Sequence, residues 1–378
     1  MTDAAGEPAP LDLPPALRLD LEEAAAHPEI VVVTDPSPDL LEAYGLEEGL
    51  GVIAVVSGGA KARVAALEAG ALEVLDPAQP EAELRARLEM AVARFRSRLH
   101  LEKVRDELDK QAVAMERNLR LAARLQRSLL PQVLPDGVGL GFATAYLPQE
   151  FVSGDSYDVR ALGPRHVVLY TADSVGHGVK AALLTVLLRT VLAPAGADGA
   201  PRPPHEVLNE LNGYLLDARL EESPTAAFCY ALFDTETRLV RLANAGHPLP
   251  LLIRREGEDV TTIHVGGSGL LLGVDPMPYE THELQLRPGD RVVFFTDGAD
   301  PEYDGAFAEQ LRLHAGLSLE DQLAGALGAV IALDQEGRPE DDVTAVAIEV
   351  VGEVRGEARA RPRAPQAADA DPGGEGVS

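Results

Sequence analysis

Two kinds of hydrophobic pattern divide the chain. Over residues 16–92, short apolar runs alternate with helix-like stretches. Ala16–Ala26, Leu40–Glu48 and Lys61–Ala69 read as helices, and Ile30–Val33, Val52–Val56 and Ala71–Leu75 as buried strands. Strands alternating with helices predict a small α/β module with a parallel sheet. From Glu81 to Leu130 the pattern changes: there is no glycine, and apolar positions recur by threes and fours. Leu101, Val104, Leu108, Gln111, Met115, Asn118, Ala122, Leu125 and Leu129 keep heptad spacing, with Gln111 and Asn118 as polar seam positions that fix register. Leu88 and Phe95 fall outside that register, so the seam shifts near His100. This predicts a parallel dimeric coiled coil over 93–130; the alternative is a lone amphipathic helix packed on its own domain. Pro131 and Pro135 end it.

Beyond the prolines, residues 131–353 carry mostly consecutive strand patterns separated by turn signals. Strands are expected at Gly141–Leu147, Val167–Ala172, Ala226–Phe233, Leu239–Ala243, Leu249–Arg254, Thr261–Val265, Glu283–Leu286, Val292–Thr296 and Val343–Val350. Helices fit Lys180–Val191, Pro204–Ala218, Gly305–His314 and Leu319–Leu333. That order suits an α/β domain of antiparallel sheets covered by helices. Residues 1–15 and 354–378, rich in Ala, Pro and charge, are expected to be disordered.

Composition narrows the function classes. A net charge of −28 argues against nucleic acid or an anionic membrane as the main partner. The lone Cys229, inside TAAFCYALF, reads as a small core residue and fits a reducing compartment. The first fifteen residues have neither a cationic patch nor an apolar run, so no signal peptide is expected. Ala181–Pro194, the longest apolar segment, is interrupted by Thr185 and Arg189 and is too short to span a bilayer. A soluble, cytoplasmic protein is expected.

The candidate chemistry lies in acids placed at strand ends. Val167–Ala172 runs into Asp173, followed by the glycine turn Gly176-His177-Gly178; Val292–Thr296 runs into Asp297-Gly298. Asp155 and Asp158 stand in SGDSYD, and Asp341-Asp342 opens VTAVAIEV. Carboxylates gathered in one cleft raise each other's pKa unless hard cations sit between them. Oxygen-only ligands select Mg²⁺ or Mn²⁺, and no Cys/His cluster suggests zinc. Two such ions about 3.5–4 Å apart would activate a water and clamp a phosphate for in-line attack. Ser174 lies outside a G-x-S-x-G elbow, which speaks against a serine hydrolase. An Asp-Gly after a strand is usually only a turn, and His177 alone is more often a turn or core histidine than a catalyst.

Two resemblances add to this reading. PEIVVVTD, VIAVVSG and EAGALEVLDPAQPEAEL resemble the second half of a response-regulator receiver domain. Its phospho-accepting position falls on Thr34 or Asp35, and its Lys-Pro on Pro77-Ala78, so the lysine is missing. That implies a degenerate, receiver-like dimerisation or docking module without phosphotransfer.

From Leu125 to Val350 the chain resembles the PPM, or protein phosphatase 2C-like, serine/threonine phosphatases in their RsbU/SpoIIE branch. The carriers are LQRSLLP, SGDSYD, ADSVGHGVKAAL, LANAGHPLPLL, GLLLGV, LRPGDRVVFFTDG and DDVTAVAI. Departures are Ser153 in place of Gly, the order Ser174-Val175, and an acid at Glu302, one place later than usual. The resemblance implies an α-β-β-α sandwich of two antiparallel sheets around a centre of two Mn²⁺ or Mg²⁺ ions. It makes Asp155 and Asp173 central ligands, with Asp173 bridging and the Ser174 carbonyl assisting. Asp297 and Asp341 complete the set, with Asp342 as the alternative to Asp341. Asp158 would orient the loop or a metal-held water, His177 would be an uncertain neighbour, and Asn244 and His247 would shape a loop beneath the site. The implied function is metal-dependent hydrolysis of phosphoserine or phosphothreonine, on an anti-sigma-factor antagonist in a partner-switching pathway. The alternative is a weak or inactive phosphatase-fold scaffold that acts by protein binding.

Overall fold

The computed structural model describes residues 30–36, 51–176, 178–218, 224–300, 305–335 and 337–351. The expected helices at 16–26 and 40–48 and the two expected disordered ends lie outside these residues. The chain divides into two compact units, Met1–Glu116 and Arg117–Ser378.

In the first unit, β1 (Ile30–Thr34), β2 (Gly51–Val55) and β3 (Glu73–Leu75) form a parallel sheet in that order. Its two faces are covered differently. Val33, Val52, Ala54 and Val74 pack with Ala66 of α1 (Ala60–Glu68). Ile30, Val32, Ile53 and Leu75 pack with Leu84, Leu88 and Phe95. Those three residues belong to α2, a single helix of 49 residues, Glu81–Leu129. The break in heptad register at Leu88 and Phe95 therefore has a packing cause: the start of α2 is core of this module, and the apolar residues from Leu101 on are exposed. At the sheet's carboxyl edge, Asp35 accepts the Ser57 amide at 2.7 Å, and Asp76 pairs with Arg63 at 2.5 Å.

The second unit is a four-layer sandwich. Its strands are β4 (Leu140–Leu147), β5 (Asp155–Leu162), β6 (His166–Ser174), β7 (Ala226–Asp234), β8 (Leu239–Ala245), β9 (Leu251–Glu256), β10 (Asp259–His264), β11 (His282–Gln285), β12 (Arg291–Phe295) and β13 (Val343–Val350). Its helices are α3 (Val179–Val191), α4 (Pro204–Asp217), α5 (Ala306–Leu313) and α6 (Leu319–Val330). One sheet has the order β10-β9-β12-β13-β4 and the other β11-β8-β7-β6-β5; every pairing within them is antiparallel.

Alternation along each strand divides the side chains between layers. Val167 and Leu169 of β6 meet Phe294 and Val346 between the sheets. Val168, Tyr170 and Ala172 lie under Leu184 and Leu188 of α3 and Leu208 and Leu211 of α4. On the other side, Val293 and Phe295 pack with Phe307 of α5 and Leu323 of α6. Strands covered on both faces read as unbroken apolar runs, which is why VVLYTA and VVFF stand out in the sequence. Phe228 stacks on Tyr170 with ring centroids 4.9 Å apart and is fully buried, so Phe228→Ala removes roughly 3–5 kcal/mol of stability.

One strand escapes the sequence reading. β5 carries Asp155 and Asp158 within DSYDVRAL and looks like an acidic loop, yet it pairs with β6 over eight positions.

Candidate metal centre

The site is assembled at one end of the sandwich. Asp155 opens β5 and Asp173 lies near the end of β6, and the two face each other across the ladder. Directly opposed residues share a face, so their carboxylates are neighbours. Tyr157 and Val159, on the same face of β5, lie between the sheets, so Asp155 points inward as well.

From the opposite sheet, the Thr296 hydroxyl donates to Asp155 Oδ2 at 2.7 Å. Thr296 also accepts the Thr344 amide at 2.9 Å, which fixes the hydroxyl between β12 and β13. Asp297 follows at once and opens the 3₁₀ turn Asp297–Ala299. Gly298 has a steric reason: a Cβ there would come 2.2 Å from the Asp342 carbonyl. The turn can therefore lie against the Asp341-Asp342 segment.

The two neighbouring acids of that segment have different work. Asp342 accepts the Gln149 amide at 2.8 Å and the Gly154 amide at 2.7 Å, one on each carboxylate oxygen. It is a clamp on the loop before Asp155. Among the described residues, Asp341 accepts only the Asp342 amide, at 2.8 Å on Oδ1.

Electrostatics unite the acids. Burial, followed by repulsion from Asp297, Asp341 and Asp342, raises Asp173 to about 7. Burial and then Asp173 push Asp155 well above the usual carboxylate range, against the pull of Thr296. Asp341 is also raised, first by burial and then by Asp297 and Asp342, against its bond from the Asp342 amide. The upward push on all three comes from burial and from neighbouring acids. Among the described residues, no three His, Cys, Asp or Glu side chains close into a ready-made cage. Mg²⁺ does not require one, because it keeps several waters and takes one or two carboxylates. A buried Asp155 beside a half-buried Asp173, with Asp297 and Asp341 acting on the latter, gathers carboxylate oxygens that fit hard divalent ions in chemistry and charge.

Asp158 lies on the other face of β5 from Asp155. Three places beyond Asp155 on an alternating strand, it faces away from the acids, and its Oδ2 pairs with Arg160 at 2.5 Å and Arg189 at 3.0 Å. The Arg189 pair ties α3 to β5. The Ser174 amide donates to the Gly154 carbonyl at 3.0 Å, and the Ser174 carbonyl lies 3.2 Å from where a Gly154 Cβ would stand. His177 and Glu302 lie outside the described residues. Asn244 and His247 form a closed loop: the Asn244 side chain donates to the His247 carbonyl and accepts its amide, both at 2.9 Å. Burial lowers the His247 imidazole to about 4, so it is neutral at ordinary pH.

The motif reading passed over Thr296 and Gln126. Both stand inside the quoted segments, but Thr296 reads as the end of a strand and Gln126 as one more polar helix residue. The signal for Thr296 is its place beside Asp297: a hydroxyl in an otherwise apolar strand end needs a buried partner.

Two helix-covered antiparallel sheets with acids at one end of the sandwich define a protein phosphatase of the PP2C type. The solved SiaA-PP2C domain of Pseudomonas aeruginosa shares this fold, with 24% identity and a TM-score of 0.52 over 63% of this chain and 98% of that domain. The family described as Stage II sporulation protein E (SpoIIE) matches residues 163–351, half of the chain, and the chain belongs to that family. Phosphoserine phosphatase RsbU of Bacillus subtilis is 24% identical over 238 residues, which cover 61% of this chain and 69% of the relative. Phosphoserine phosphatase RsbP of the same organism is 24% identical over 211 residues, 54% of this chain and about half, 51%, of the relative. The chain is thus a protein serine/threonine phosphatase by class. Among the described residues, no helix is long and apolar enough to cross a membrane.

Proposed function

We propose that the chain hydrolyses phosphoserine or phosphothreonine on a protein, using two divalent ions, Mn²⁺ or Mg²⁺, held by Asp155, Asp173, Asp297 and Asp341 with the Ser174 carbonyl. The observation that carries this reading is Asp173: a half-buried carboxylate opposite Asp155 on the ladder and pressed by Asp297, Asp341 and Asp342. Asp342 is left out of the ligand set because both of its oxygens already accept backbone amides. When bound, such ions supply Lewis acidity and an activated water for attack on phosphorus.

The chain's own residues prepare that chemistry. Thr296 holds the Asp155 carboxylate in one orientation from across the sandwich. Asp342 and the glycine at 298 hold the three acid-bearing turns together. The neutral His247 is locked in its loop and donates no proton to the leaving group in this reading.

The substrate in this reading is a small anti-sigma-factor antagonist, in line with relatives named phosphoserine phosphatases RsbU and RsbP. The buried Cys229 suits the reducing cytoplasm where such a substrate resides. Leu101, Val104, Leu108, Met115 and Leu125 are exposed along α2, which supports a parallel homodimer through that helix as a control element. The receiver-like module would act there by docking, without phosphotransfer. The test is Asp173→Asn: metal-dependent release of phosphate from a phosphopeptide or from p-nitrophenyl phosphate should disappear. Undiminished turnover overturns the assignment.

A further inference from the structure

Loops that present metal ligands must have their backbone fixed, because an unpaired amide or carbonyl lets the ligand wander. The Ser153-Gly154-Asp155 loop is fixed at every polar backbone atom up to Asp155. The Gly154 amide goes to Asp342, the Gly154 carbonyl to the Ser174 amide, and the Asp155 amide to Ser153 Oγ at 3.0 Å. Both backbone groups of Ser153 go to one side chain, Gln126. Its Nε2 donates to the Ser153 carbonyl at 2.7 Å, and its Oε1 accepts the Ser153 amide at 3.0 Å.

Gln126 stands in the last turn of α2, on a helix whose neighbouring residues are mostly exposed, yet it is only 7% exposed itself. Nε2 also donates to Thr185 Oγ1 of α3 at 3.2 Å. An amide offers a donor and an acceptor side by side, so it can pair with a residue's C=O and N–H as a neighbouring strand would. The same helix touches the loop once more, where the Arg120 guanidinium lies 5.8 Å over the Phe151 ring. The helix ends just beyond, with Gln132 Nε2 donating to the Arg127 and Leu130 carbonyls at 3.0 and 2.9 Å.

The geometry points to Gln126 as the positioning residue that couples the end of helix α2 to Asp155, so that metal affinity depends on how this helix turn is seated. The inference rests on the two-metal reading above. Gln126 touches neither metal nor substrate; it acts through the loop. Leucine at 126 keeps the bulk and the helix but removes both bonds to Ser153.

The experiment compares full-length wild type, Gln126→Leu and Ser128→Ala. Ser128 is the control because its hydroxyl bonds only the Leu125 carbonyl of its own helix. Mn²⁺ is titrated by calorimetry, and p-nitrophenyl phosphate turnover is followed across Mn²⁺ concentration. Gln126→Leu should weaken Mn²⁺ binding about 10–100-fold, with kcat largely restored at saturating Mn²⁺; Ser128→Ala should match wild type. Independently, the Ser153 amide should exchange slowly with solvent deuterium in metal-free wild type and fast in Gln126→Leu. Wild-type Mn²⁺ affinity in Gln126→Leu, or a Ser153 amide that already exchanges freely in the wild type, overturns the inference. If the leucine variant fails to fold, the wild-type exchange measurement still decides it. Failure of the wild type to bind Mn²⁺ instead overturns the two-metal reading.

Discussion

Thr296, the residue immediately before the Asp297 turn, donates a 2.7 Å hydrogen bond to the carboxylate of Asp155 on the other sheet. Both residues are buried, so this bond ties the two sheets at the end where the acids meet. It also explains how a carboxylate pushed upward by burial and by Asp173 keeps one orientation.

Thr296→Val should therefore damage stability and metal binding together. Loss of the hydroxyl takes the Thr296 donor from Asp155 and the acceptor from the Thr344 amide. Each orphaned buried group costs about 1–3 kcal/mol. Denaturant melts of Thr296→Val and Thr296→Ser check this: the serine variant should retain most of what valine loses. Equal losses would show that the methyl group matters as much as the hydroxyl, and an unaffected valine variant that the hydroxyl does not matter.

Asp173→Asn should do the opposite to the metal-free protein. A carboxylate raised to about 7 is disfavoured when charged in the fold, so replacing it by a neutral amide relieves repulsion at pH 8. The metal-free variant should gain on the order of 1–4 kcal/mol while losing Mn²⁺ binding and turnover. Thermal melts in chelator and in Mn²⁺ separate the two effects. Wild type should be stabilised by the ion and the variant should not.

Much of this was legible in the sequence, and the exceptions have physical causes. The strands buried on both faces announced themselves as continuous apolar runs, and each delivered an acid at its end. β5 did not, because its Asp155 joins the cluster of acids and its Asp158 an ion pair with Arg160 and Arg189. Neither obeys the usual cost of burying charge, so hydropathy hid the strand. Sequence proximity alone puts Asp158 beside Asp155, whereas the two-residue period of a strand turns it to the other face, toward Arg160 and Arg189. The seam shift in α2 was visible, but its cause needed the module core around Leu84, Leu88 and Phe95.

His247 gives a pH signature distinct from that of the acids. Its folded pKa of about 4 lies below the unfolded value, so the unfolded chain binds the extra proton first. Stability from this group is complete above about pH 6.5 and lost as pH falls toward 4, roughly 2 kcal/mol by pH 5. Comparing melts of wild type and His247→Gln at pH 7.5 and 5.0 isolates it. The gap between the two proteins should shift by that amount in favour of the variant; an unchanged gap would mean that the imidazole is not held neutral.

The exposed seam of α2 allows a change of assembly without a change of core. Leu108 and Met115 are 59% and 54% exposed, so charging them removes no packing within the chain. In a parallel dimer the same positions face each other, and an aspartate pair would repel in an apolar seam. Light scattering of the full chain should give twice the monomer mass for wild type and the monomer mass for the Leu108→Asp, Met115→Asp double variant. Mn²⁺ binding should survive, since the acids lie in another part of the chain. A monomeric wild type would refute the dimer.

Neighbouring acids at 341 and 342 provide the sharpest test of the ligand assignment. Among the described residues, Asp341 accepts one local hydrogen bond, from the Asp342 amide on Oδ1. Asp342 uses both oxygens on the amides of Gln149 and Gly154. Asparagine offers one acceptor oxygen where aspartate offers two, so Asp342→Asn must release one of those amides. It should lower stability by about 1–3 kcal/mol and weaken Mn²⁺ binding only through the displaced loop. Asp341→Asn should leave the melting temperature nearly unchanged in chelator yet remove one ion from the calorimetric count. If instead Asp342→Asn loses the ion and Asp341→Asn keeps it, the ligand is Asp342, and the clamp must open when metal binds.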